Sequence, residues 1–218
     1  EGGTGLIAIS NTAVQGWEAA VRGMRNPMNS WEKSDSELKD NYQVGQNDLS
    51  LMKKLVKAGT DHSKFMRMII VTADIVAPLY FWKEYDTYKV GTVANSCSTM
   101  HKIHAKEFTL DDFSHEHLLV EEKLEIIIRW LNKYRYIYVH WDNNSTYMDE
   151  NGRYLTRKDI WWQMIQLLPS SYNQRRTVQL NYAVLRNIYH ARKDHKLDEW
   201  RKFCEWVESL PASELITV

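Results

Sequence analysis

The eleven residues FMRMIIVTADI, Phe65 to Ile75, limit the possible folds more than any other stretch of the chain. They are apolar and rich in side chains branched at Cβ, which fit a pleated, buried surface, so the segment predicts a buried strand. Pro78 follows closely. A proline's fixed φ and missing N–H suit the first turn of a helix, and PLYFWKEY reads as that helix. TYKVGTVANS then returns to a strand pattern, giving a strand, helix, strand run that no all-helical fold contains.

The rest of the chain is mostly helical in pattern. TAVQGWEAAVRGM has helical spacing, NPMNSWEKSDSELKDNYQ reads as a polar loop, and Asp48 is placed to cap a helix running to about Lys57. Glu116 to Trp141 reads as one long amphipathic helix with Leu118, Leu119, Leu124, Ile127, Ile128 and Leu131 on its apolar stripe. Thr156 and Asp159 form a capping-box pattern ahead of a helix that Pro169 ends. A further helix is expected from Ser170 or Ser171 to about His195, then an amphipathic LDEWRKFCEWVESL. The expected class is α+β, mostly helical with a small sheet.

With 218 residues, 44% of them hydrophobic, and no linker or repeat, the chain is expected to form a single domain over 7–218. The opening EGGTGL, residues 1–6, lacks Met and reads as an expression scar. Lys and Arg total 28 against 28 Asp and Glu, so no long basic footprint exists for a nucleic-acid polymer. Two cysteines make no disulfide framework, and neither a signal-peptide pattern nor a membrane-length apolar run is present; a cytoplasmic protein is expected. Cys97, His101 and His104, at C-x3-H-x2-H with His115 and His117 downstream, form a candidate zinc cluster, although the spacing matches no common structural signature.

The functional signal is in the expected helix that ends near His195. At 100° per residue, Asn181, Arg192 and His195 fall within about 60° of one another on its apolar face, while Arg186, His190 and Lys193 point to solvent. An arginine on such a face needs an anionic partner, either an acid on a neighbouring helix or a ligand. Asn181 and Arg192 would lie roughly 16 Å apart along the axis, a length that suits an extended nucleotide.

LPSSYNQRRTVQLNYAVLRNIYHARKDH resembles the C-terminal signature of the flavin-dependent thymidylate synthases, in which a Leu-Pro is followed by a helix bearing Asn, a second Asn or His, and Arg. TDHSKFMRMIIVTADIVAPLYFWKEYDTYKVGT is similar to that family's Glu-His, apolar strand, Ala-Pro helix and catalytic loop, and EAAVRGM resembles its early Ala-Arg segment. The likeness runs from about Trp17 to Phe203. It implies the family's fold, with a small central antiparallel sheet; FAD contacted by Asn181 and Asn187, with His195, Lys83, Glu84 and the Asp61-His62 pair also at the cofactor; and Arg192 on the uracil of dUMP. Thr92 falls at the family's loop serine and, with Arg192, is the catalytic candidate. Lys83, Lys89, Ser96 and Ser98 are the donors available to a phosphate, so Lys89, Ser96 and Ser98 join Arg192 as substrate-binding candidates.

The resemblance further implies NADPH and methylenetetrahydrofolate as co-substrates and a homotetramer, because the family builds its flavin site from several subunits. The pattern departs from the family in two places. The Arg-His-Arg motif falls on Trp82 to Glu84, unless a shifted gap puts Lys89 at an Arg position, and Ile165 stands where an Arg is found near the Leu-Pro. A relative that binds nucleotide or flavin without thymidylate synthase activity is the alternative reading.

Overall fold

The computed structural model describes residues 6–144 and 146–218. Most of the segment read as a scar thus lies outside the described residues. In chain order, strand β1 (Ala8–Gln15) leads into helix α1 (Trp17–Arg25); a hairpin of β2 (Glu37–Leu38) and β3 (Tyr42–Gln43) precedes α2 (Gln46–Lys57). Strand β4 (Ile70–Pro78) feeds α3 (Leu79–Tyr85), and β5 (Val93–Ser96) precedes α4 (Thr99–Lys102), α5 (Glu122–Val139) and α6 (Arg157–Leu167). Strand β6 (Asn173–Asn181) runs directly into α7 (Tyr182–Arg192), followed by α8 (Asp198–Glu208) and α9 (Glu214–Thr217). The class is α+β.

The main sheet has the order β1-β4-β6-β5, with β4 paired antiparallel to both β1 and β6. Along β4 burial alternates, so Val71, Ala73, Ile75 and Ala77 face the core while Thr72 and Asp74 face outward. Period-two side chains require this once one face is covered. Helices α1, α2, α3, α7, α8 and α9 contribute to the main core, which includes Trp82, Trp200 and Phe203. A second core of Ile103, Phe108, Phe113, Leu124, Leu131 and Met164 holds α5 and α6 together.

Several expectations are corrected. The helix expected from Ser170 or Ser171 is a strand over its first half, because Gln174, Val178 and Leu180 alternate inward and β4 and β5 both offer unpaired backbone to that segment. Pairing between strands overrides local helical spacing here. Asn181, Arg192 and His195 therefore do not share one helical stripe: Asn181 is the N-cap of α7 and His195 lies beyond its end. The stretch TAVQ belongs to β1, and the polar loop contains the β2–β3 hairpin. The strand expected from Phe65 begins only at Ile70, after a 3-10 turn at Lys64–Met68.

The long helix starts at Glu122 rather than Glu116, which leaves Leu118 and Leu119 47% and 100% exposed instead of on a buried stripe. Asp48 does not cap α2. The cap comes from Asp35, whose carboxylate accepts the backbone N–H groups of Asn47 at 2.8 Å and Asp48 at 3.0 Å. The Asp48 side chain turns inward to Arg25 instead. The capping box at Thr156 and Asp159 is present as expected.

Candidate functional site

Two constellations lie along α7, joined by the loop that connects α3 to β5. The first is a cleft of about 400 Å³ between the end of α2, the turns that follow it, Gly91 and the first half of α7. Asn181 and Asn187 both line it, with Arg67 and Arg186 as cations and Val56, Met66 and Val184 as apolar wall. Asn181 is fixed there by its capping role, since Oδ1 accepts the Val184 N–H at 2.9 Å, the bond that an N-cap asparagine makes to the first turn. Gly91, at φ +73°, approaches so closely that a Cβ would sit 2.9 Å from Val184 Cγ2 and 3.0 Å from Asn181 Nδ2. Only glycine fits that approach and that conformation together.

Arg186 is not the solvated residue its helical angle suggests. It donates to the carbonyls of Ile216 (3.4 Å) and Val218 and is half-buried at the cleft wall. Asp61 and His62 are exposed in the turn flanked by Thr60 and Ser63, which line the same cleft. The cleft thus gathers Asn181 and Asn187, with Asp61 and His62 at its margin.

The second constellation centres on Glu84. Its Oε2 accepts from Arg192 Nη1 at 2.6 Å and from Trp200 Nε1 at 2.9 Å, and lies 3.4 Å from His195 Nε2. Arg192 also donates from Nε to Tyr88 Oη at 2.9 Å, and its guanidinium carbon lies 4.8 Å from the Trp200 ring centre. Arg192 therefore meets an acid on a neighbouring helix, one of the two partners its position required. Glu84 and His195, expected at a cofactor, are brought to Arg192 rather than to the cleft lining.

The remaining expected residues are dispersed. Lys83, Lys89 and Ser96 are exposed, and none lines the cleft with Asn181. Ser98 caps the short α4, accepting the His101 N–H at 3.2 Å, beside a separate groove of about 300 Å³ that includes Cys97, Lys102 and Arg175. Thr92 Oγ1 donates to the Tyr88 carbonyl at 2.5 Å and closes the loop between the two constellations. At the position matched to the first arginine of the missing motif, Trp82 is buried and donates to the Gln174 carbonyl at 2.9 Å, anchoring α3 to β6.

The side chains of the candidate zinc cluster are not brought together: among the described residues no three His, Cys, Asp or Glu side chains are arranged to hold a metal. His117 bonds Asp198 at 2.9 Å, and His115 Nδ1 contacts the Phe113 carbonyl. His104 packs on Tyr138, and burial, with the nearby Arg157, Lys102 and Arg135, lowers its pKa. No helix among the described residues is long and apolar enough to cross a membrane.

Tyr88, Trp200, Arg67 and Arg186 were not identified from the sequence. Tyr88 lies in the loop beyond the end of α3, and Trp200 is on α8, a separate helix from the one that Arg192 ends, so no helical spacing links either to Glu84 or Arg192 and no local sequence signal flags them.

The sequence matches no protein-family model and no curated protein. Among solved structures, the chain is similar to thymidylate synthase X of Helicobacter pylori with FAD and dUMP, at TM-score 0.69 and 14% identity over 97% of each chain. It is likewise similar to a flavin-dependent thymidylate synthase ThyX from Helicobacter pylori complexed with FAD and dUMP, at TM-score 0.69 and 15% identity, covering 96% of this chain and 97% of that one. With an antiparallel sheet of order β1-β4-β6-β5 and near-complete coverage by these structures, the chain has the fold of the flavin-dependent thymidylate synthases.

Proposed function

We propose that this protein binds FAD in the cleft lined by Asn181 and Asn187 and carries out flavin-dependent reductive one-carbon transfer to a pyrimidine nucleotide such as dUMP. The observation that carries the reading is the convergence of two amides and two guanidinium groups on an apolar wall in one cleft. That donor set fits a flavin nucleotide. Amides pair with the polar edge of a flat ring, apolar side chains cover its face, and Arg67 and Arg186 suit phosphate. A volume of about 400 Å³ suits a ring system with part of its tail on one chain, so the proposal includes a homotetramer in which neighbouring subunits complete the site.

When bound, a flavin supplies hydride chemistry. The chain's own part is to orient and to stabilise charge. Arg192, a guanidinium 17% exposed beside the Tyr88 and Trp200 rings, is the group suited to donate a fixed hydrogen bond to a pyrimidine oxygen as charge develops there. NADPH as reductant and methylenetetrahydrofolate as one-carbon donor complete the proposed reaction.

The test is a fluorescence titration of FAD with and without dUMP, followed by an assay for dTMP with NADPH and methylenetetrahydrofolate. Saturable FAD binding tightened by dUMP, with dTMP formed, is expected. Binding without turnover would instead identify a nucleotide-binding relative that has lost synthase activity, for which Trp82 and Glu84 at the place of the family's arginines speak. No FAD binding at high micromolar concentration overturns the flavin reading altogether.

A further inference from the structure

An arginine that recognises a ligand must keep part of its guanidinium edge free, and a side chain with Arg192's rotational freedom must also be held still to bind well. Both conditions are met at Arg192. Its Nε donates to Tyr88 Oη at 2.9 Å and its Nη1 to Glu84 Oε2 at 2.6 Å, while the same carboxylate oxygen is fixed by the indole N–H of Trp200 at 2.9 Å. The anchor is rigid: Trp200 is fully buried and packs 4.5 Å from the Phe81 ring, on the helix that bears Glu84. Among the described residues no acceptor meets Nη2.

We propose that Glu84, Tyr88 and Trp200 are positioning residues that clamp Arg192 at Nε and at Nη1, on two sides of its guanidinium, so that Nη2 is presented as a fixed donor to a neutral ring carbonyl of the ligand. The choice of a carbonyl over a phosphate follows from charge. Glu84 pairs with Arg192 at contact distance, so the unit is close to neutral and its free edge offers a directed hydrogen bond rather than the uncompensated cation that a phosphate dianion selects. His195, 3.4 Å from the Glu84 carboxylate, faces the same oxygen from beyond the helix end and adds no further anion. Removing the carboxylate would therefore have opposite effects on the two ligand classes: a looser hold on a ring carbonyl, and a stronger pull on a bare anion. The proposal rests on the reading that a pyrimidine nucleotide binds at Arg192.

Two measurements separate the clamp from that reading. Nitrogen-15 NMR of labelled arginine in the ligand-free protein should show a slowly exchanging Nε–H assigned to Arg192 by its loss in Arg192→Lys, and Glu84→Gln and Tyr88→Phe should each broaden or remove it. In calorimetric titrations of the FAD-saturated protein, Glu84→Ala should weaken deoxyuridine and dUMP by the same factor, roughly 3- to 10-fold, the cost of immobilising one side chain anew. In an Arg192→Ala background, Glu84→Ala should have no further effect, because a residue that acts through Arg192 has nothing left to act on. Inorganic phosphate should bind Glu84→Ala no more weakly than the wild type. Absence of a protected Nε–H overturns the clamp, and so does a Glu84→Ala loss that adds fully to that of Arg192→Ala. A protected Nε–H in a protein that binds neither deoxyuridine nor dUMP leaves the clamp geometry standing and overturns the nucleotide reading, and with it the ligand assigned to the clamp.

Discussion

The Arg25 guanidinium and the Asp48 carboxylate meet at 2.6 Å with side chains 5% and 0% exposed, joining α1 to α2 through the core. Asp48 also accepts from Ser34 and Ser36 at 2.5 and 2.6 Å, so the same carboxylate fastens the segment that precedes the β2–β3 hairpin. Breaking a buried pair by removing one charge strands the other in a medium that solvates it poorly, at about 3 to 5 kcal/mol. Asp48→Asn should lower stability by that amount in urea denaturation. A loss under about 1 kcal/mol would place the pair in the weak, solvent-screened class.

Acid should loosen the sheet through Asp74. Hydrogen bonds from Thr177, Asn11 and Arg175 hold its pKa down to about 2, below the ~3.9 of an unfolded Asp. A depressed folded pKa contributes stability that is complete above the unfolded value and is lost as pH falls from about 4 through the folded value. Denaturation at stepped pH should show a limb declining across that window, shallower in Asp74→Asn. An unchanged limb in the variant would assign the acid sensitivity elsewhere, first to Asp159, which hydrogen bonds from Thr156 and Arg153 also hold down to about 2, and then to Asp48, where burial pushes the carboxyl up but hydrogen bonds from Ser34, Ser36 and Arg25 outweigh that and leave its pKa lowered.

Gly91→Ala should act on ligand binding rather than folding. A side chain at its positive φ is strained by about 1 to 3 kcal/mol, and the loop, being exposed, relieves that strain by moving away from Asn181 and Val184. FAD affinity should fall about 5- to 30-fold with the melting temperature nearly constant. A large fall in melting temperature at unchanged affinity would remove Gly91 from the cleft's function.

Arg186→Ala tests the cleft's charge. If Arg186 meets a phosphate, FAD binding weakens by about 1.5 to 3 kcal/mol, or ~10- to 150-fold, and raised salt reduces the wild-type affinity toward that of the variant. Lys193→Ala, beyond the end of α7, is the control and should change neither affinity nor stability.

The strand at β4, the Pro78 entry to α3 and the capping box at Thr156 could be read in the sequence because each rests on local chemistry: Cβ branching, proline's ring, a side chain bonding its own backbone. Asn181 and Asn187, singled out by the resemblance, do line one cleft, but the helical stripe that spacing predicted for Asn181 does not exist, since Asn181 ends a strand before it caps a helix. What stayed hidden was relational. Nothing in QRRTVQLN distinguishes a strand from a helix until β4 and β5 offer it hydrogen bonds, and nothing in the sequence tells Glu84 that its partner is Arg192, 108 positions away.

The middle of the sheet has a consequence for the order in which the molecule can be made. Pro78 pairs with Asn173 and Ile70 with Asn181, about a hundred residues apart, so β4 leaves the ribosome long before β6 exists. Until then its apolar face and one row of backbone donors and acceptors have only β1 for company. Long-range strand pairing is slow, and such an unpaired edge is a template for other chains. The nascent protein thus passes through a stage at which its most apolar strand is its least protected, and folding yield at high expression should depend on a holding chaperone far more than the finished fold's stability would suggest.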